Sequence, residues 1–160
     1  FVMADMELND RGFKKAIQLR KEMDKHCVLV GLPGRNSPMH KETTVAKLGV
    51  IHEFGSPANG VPARPFMAQT AQKRRRNTAE LLERNAKAVL NSSQSPKQGL
   101  SRIGVVYEGY IKDTIRNGDF VPNAPSTVLM KGSSRPLIDT GLMRASVTSV
   151  VADSKAKGTV

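Results

Sequence analysis

Asp139-Thr140-Gly141, preceded by Leu137 and Ile138, has the apolar-apolar-Asp-Thr-Gly pattern of aspartic proteases. In that chemistry two carboxylates from paired loops share one proton and divide the roles of acid and base. A protease half of that kind needs many more strand residues than follow here, and Leu142 stands where a small residue belongs. The motif reads better as turn chemistry. Asp139 or Thr140 caps a short turn, Gly141 supplies backbone freedom, and Leu142 and Met143 pack inward. His52-Glu53 opens like the HExxH of zinc hydrolases, but Ser56 holds the place of the second histidine. With His26, His40 and His52 dispersed and Cys27 the single cysteine, neither a metal nor another cofactor is expected. A helical histidine beside a glutamate is then a satisfied packing residue, and Cys27, inside an apolar run, is a small buried hydrophobe.

The chain has 160 residues and a formal net charge of +11, from 25 Lys and Arg against 14 Asp and Glu. That balance favours an anionic neighbour, nucleic acid or an acidic protein surface, and equally fits a basic soluble surface. The densest cluster is Lys73-Arg74-Arg75-Arg76. Four consecutive helical positions point in four directions, so the run cannot form one flat phosphate-reading stripe. A non-specific nucleic-acid-binding basic domain is therefore the alternative reading of the charge, with salt-sensitive affinity. No apolar stretch is long enough to span a bilayer, and FVMADMELND lacks the basic start and apolar middle of a signal peptide. Synthesis in the cytoplasm is expected.

These residues must be positioned by an ordered set of elements. Spacing predicts a first helix over 10–25, with Asp10 as N-cap and Phe13, Ala16, Ile17 and Arg20 on one face. A buried strand over 27–32 ends at Pro33-Gly34, and 35–42 is loop. A short helix from Thr43 ends at Gly55. The longest helix is expected over 67–91, with Met67, Thr70, Ala71, Thr78, Leu82, Ala86 and Val89 inward. After a break at 91–94, Ser95, Pro96 and Gln98 form a capping box for another long helix, which buries Leu100, Ile103, Tyr107, Tyr110, Ile111 and Thr114 and stops at Gly118. A strand over 146–151 closes the chain. The fold class is α+β: a small antiparallel sheet packed with two long helices, one or two shorter helices and long extended loops. One domain is expected over 1–160, with its core in 8–152 and a polar mobile tail in 153–160, where Val160 could begin a further pairing.

Two stretches stand out as shaped loops. Residues 56–65, SPANGVPARP, lead into Phe66 and Met67. A rigid loop carrying Arg64, Pro65 and Phe66 suits an interface anchor, and equally Phe66 and Met67 start the next helix in the core. In 122–141, Pro122, Pro125 and Pro136 fix φ and bar interior helix, while Gly132 and Gly141 permit turning. A loop of about twenty residues is too long for a mere connector. It is expected to reach a neighbouring subunit or protein, with Arg64 and Arg135 as anchors and Leu137 and Ile138 covering apolar surface exposed in the free subunit.

Taken together, VAKLGVIHEFG at 45–55, VPARPFM at 61–67 and the stretch from Pro122 to Val151 resemble, in order and spacing, a family of tailed-bacteriophage virion proteins. These are the neck or tail-completion proteins encoded between the head and tail genes. The resemblance runs from the first helix to about Val151 and departs in the short end after the strand. It implies a non-enzymatic virion protein at the neck, joining head to tail. The partners it implies are copies of the same chain in a ring, a hexamer being favoured, together with the head-tail connector and tail proteins. Phage DNA could be touched non-specifically, and no membrane is involved. Carried onto this chain, it places assembly surfaces at Arg64, Pro65 and Phe66, and across 122–141 at Pro122, Asn123, Pro125, Arg135, Leu137, Ile138, Asp139, Thr140 and Gly141.

Overall fold

The computed structural model describes residues 10–154. The opening residues that bear on a signal peptide, the Asp10 side chain and the end of the tail with Val160 lie outside the described residues. In chain order the elements are α1 (Asp10–Met23), β1 (His26–Gly31), β2 (Met39–His40), β3 (Thr43–Thr44), α2 (Val45–Phe54), α3 (Phe66–Lys73), α4 (Arg75–Leu90), α5 (Pro96–Asn117), α6 (Pro125–Lys131), α7 (Leu142–Ala145) and β4 (Thr148–Asp153). The class is α+β, as the sequence implies, with two antiparallel strand pairs, β1 with β4 and β2 with β3.

α5 is the axis. Ser95 accepts from the Gln98 backbone N–H while the Gln98 side chain accepts from Ser95 N–H, and Pro96 sits where its missing N–H is harmless. Its Ile103, Ile111, Thr114 and Ile115 are buried, while Leu100, Tyr107 and Tyr110 are half-buried. The β1–β4 pair, in register from His26 opposite Asp153 to Gly31 opposite Thr148, lies across this helix. Gly104 permits the approach. A Cβ there would sit 2.7 Å from Ser149 Oγ and 2.9 Å from Val28 Cγ2, inside van der Waals contact. The Ser149 hydroxyl donates to Glu108 at 2.6 Å and fixes sheet to helix. Burial alone would raise the Glu108 carboxyl, yet this bond and Lys112 hold it below its ordinary value.

The core joins Val45 of α2, Phe66 of α3 and Ile111 and Ile115 of α5 to Leu137, Met143 and Val147 from the segment before β4. Glu53 ties α2 to α3, because its carboxylate accepts from Met67 N–H at 2.8 Å and Ala68 N–H at 2.9 Å. Pro65 offers α3 no capping side chain, so Glu53 caps that helix from across the chain.

Several expectations are corrected. The helix expected over 67–91 breaks at Arg74 into α3 and α4. There the guanidinium turns inward, 2.7 Å from Asp113 and 5.0 Å from the centre of the Tyr110 ring. The break changes the helical phase, so Leu81 is buried where Leu82 was expected and Leu82 is 48% exposed. The loop at 35–42 contributes a strand to the small β2–β3 hairpin. β4 reaches Asp153, so Asp153 belongs to the sheet rather than the tail. Phe13 and Ile17 of α1 do not form an inward face, being 69% and 41% exposed. Residues 122–141 are not uninterrupted loop, because α6 occupies their middle. Pro125 is its first residue and Gly132, at φ 65°, closes it, an arrangement in which proline favours a helix instead of barring one.

Candidate functional site: a cavity between two shaped loops

The structure brings the two proline-bearing segments against one another. Between them, and over α2, lies a cavity of about 420 Å³. Arg64 is the hinge of this arrangement. It is 6% exposed, and its guanidinium points across to the second segment, donating through Nε to Val121 O at 2.8 Å and through Nη2 to Pro122 O at 3.1 Å. Its backbone N–H donates to His52 O at 2.6 Å, tying the first segment to α2. Burial lowers the guanidinium pKa from its ordinary value, but an arginine starts so high that it stays charged.

The polar wall holds His40, His52, Arg64, Lys131 and Asp139, and Leu48, Val61, Leu137 and Met143 supply apolar surface. Asp139 lies at the rim, 3.3 Å from His40 Nε2 and 3.7 Å from Lys41 Nζ. Its carboxylate therefore faces cationic and imidazole groups, whereas a shared-proton dyad requires a second carboxylate. Thr140 accepts from Leu142 N–H at 3.3 Å, Gly141 adopts φ 80°, Leu142 is half-buried and Met143 is buried, which is the turn chemistry anticipated for this motif.

His52 is not the satisfied packing residue expected of it. Its Nδ1 is buried without a hydrogen-bond partner among the described residues. Burial first, then the charges of Arg64 and Lys131, push its pKa down to about 4, so the imidazole is neutral at pH 7. The Lys131 ammonium is likewise lowered, mainly by burial, with Asp139 opposing and Arg64 and Lys41 adding to the shift. Leu137, buried in the same wall, has φ 59°. A left-handed backbone at a bulky residue costs about 1–3 kcal/mol and persists only where its surroundings hold it.

The remaining anticipated residues divide by side. Phe66 is 2% exposed and starts α3 in the core, while Pro65 is exposed. Asn123 braces the base of the excursion, its side-chain amide donating to Ser134 O at 3.3 Å and Arg135 O at 3.1 Å. Lys131 Nζ donates to the same Arg135 O at 3.3 Å. Pro122, Pro125 and the Arg135 side chain are exposed, and Ile138 is half-buried. Sequence reasoning passed over Leu129 and Met130, which stand 85% and 82% exposed on α6. The spacing of Pro125 and Gly132 as the ends of a short helix was the available signal. His40 and Lys131 were missed because only the fold brings them to this cavity.

Among the described residues there is no group of three metal-ligating side chains, and no helix is long and apolar enough to cross a membrane. The chain matches no protein-family model, no curated protein and no solved structure.

Proposed function

We propose that this chain is a structural subunit of a tailed-phage neck, assembling as a ring between the head connector and the tail. The observation that carries this reading is the form of residues 122–141. They make a folded excursion, braced at its base by Arg64 and Asn123, with Leu129 and Met130 exposed on α6. Apolar side chains on a preformed support lose less conformational entropy on docking than the same side chains on a mobile loop. Modest contacts repeated around a closed ring can then hold a durable junction. The three sequence stretches that resemble neck proteins supply the setting, in the virion, and the partners: copies of this chain, the connector and tail proteins.

The protein acts here by contact rather than catalysis. Deleting residues 126–134 is expected to leave a folded subunit, verified by its thermal transition, while heads and tails fail to join in an in vitro assembly assay. Normal infectious particles from the deletion would overturn the proposal. Asp139→Asn is expected to leave behaviour toward peptides unchanged, and a pepstatin-sensitive cleavage abolished by it would establish a protease instead. Lys73, Arg75 and Arg76 are exposed. They would give DNA binding that is weak, indifferent to sequence and steeply reduced by salt. A salt titration over unrelated duplexes tests this, and strong preference for one sequence would favour a nucleic-acid module.

A further inference from the structure

The cavity has features that an assembly role leaves unused. Arg64 and Lys131 bring two cationic side chains to its wall, and Asp139 is the one carboxylate among the lining residues. That carboxylate already faces His40 and Lys41 at the rim. The His52 ring also lines the cavity, with its Nδ1 closed off from solvent. Leu48, Val61 and Met143 add apolar surface to the lining, which also includes the strained Leu137. Cations gathered in a half-enclosed space without enough carboxylates to offset them create a field that favours an anion. The volume, about 420 Å³, falls within the range of small-molecule sites, which combine apolar walls with a few placed polar groups.

We propose that this cavity binds an organic anion, a carboxylate or phosphate head group on a short apolar stem. Lys131 meets the head group and the Leu48, Val61 and Met143 surface receives the stem. Arg64 contributes charge while its hydrogen bonds keep the two loops together. Lys131 Nζ donates to Arg135 O at 3.3 Å and keeps two further N–H groups, one of which supplies the charge-assisted bond that distinguishes an anion from a neutral ligand of equal size. The site lies within one subunit, so the inference stands independently of the ring.

The test is a titration of the free, full chain with hexanoate, hexyl phosphate, inorganic phosphate and hexan-1-ol, followed by NMR at the methionine methyl groups and histidine rings. Saturable shifts of Met143 and His52 are expected with hexanoate or hexyl phosphate, at affinities at least about tenfold tighter than with hexan-1-ol. The tighter of the two identifies the head group, and inorganic phosphate alone is expected to bind more weakly than its hexyl ester. Lys131→Met is expected to weaken anion binding by about tenfold, and Lys131→Arg to retain it. Unchanged thermal transitions show that both variants remain folded. Equal binding of hexan-1-ol, full affinity in Lys131→Met, no advantage of the hexyl chain, or no saturable shift with either organic anion would overturn the proposal.

Discussion

The two segments that flank the cavity, residues 56–65 and 122–141, are alike in composition and opposite in use. Both carry prolines, a glycine in the left-handed region and an arginine. The first turns its arginine inward and delivers Phe66 straight into the core. The second is long enough to contain a helix of its own, and its Leu129 and Met130 face away from the chain. Stiffness is therefore common to both and decides neither. The difference follows from what comes next along the chain. Arg64 sits just before α3 and Phe66 opens it, and the first turn of that helix is held down by Glu53, leaving them no route outward. Leu129 and Met130 sit midway along an excursion tied at its base.

Substitutions on the inward segment sharpen this contrast because they should act on stability. Phe66→Ala removes a ring from the centre of the core and is expected to cost about 4 kcal/mol in urea unfolding. Arg64→Ala frees the Val121 and Pro122 carbonyls and separates the two segments, with an expected loss of about 3 kcal/mol. Arg64→Lys should recover only part of it, since a point charge cannot replace the two-pronged guanidinium contact. A loss below about 0.5 kcal/mol for Arg64→Ala would mean that the excursion is not braced as described.

His52 gives a pH-dependent probe of the ground between the segments. Its folded value, about 4, lies below the ordinary 6.5, so between these values the unfolded chain binds the proton that the folded chain refuses. Stability from this group is complete above about 6.5 and falls as the pH drops toward 4. Allowing for partial solvent access, the change is on the order of 2 kcal/mol. His52→Gln should flatten that part of the stability profile, measured by urea unfolding across the interval. An unaltered profile would place the imidazole in water.

The outward segment should respond in the opposite sense. Leu129→Ser with Met130→Ser is expected to move stability by less than about 0.5 kcal/mol, because both side chains are already solvated, yet to block assembly. A large loss of stability would mean that α6 packs on its own subunit.

Much of the framework was legible in the sequence because local signals and tertiary packing agree there. The capping box at Ser95 and Gln98, the Gly55 stop and the apolar positions of α5 each follow from local chemistry, and tertiary packing reinforces them. The break at Arg74 was not legible, since the residues 67–91 keep helical spacing and the groups that the guanidinium meets there, Asp113 and Tyr110 on α5, are distant in sequence. α6 was not legible for a different reason: a proline inside a segment reads as a breaker, yet at the first helical position it is favourable. Nothing local in the sequence links the two loops, and only folding sets Arg64 against Pro122 and gathers His40, His52 and Lys131 around one space.

The central claim, that the excursion presents α6 to a neighbour, is tested most directly by methionine oxidation. Met130 is 82% exposed and Met143 is 4% exposed, so the chain carries its own buried control. In the isolated subunit Met130 should oxidise at the rate of a solvated thioether while Met143 stays protected. In the assembled particle Met130 should slow by at least about tenfold, as expected for a side chain buried in a well-packed contact. Met130 reacting equally fast in both states would contradict the account.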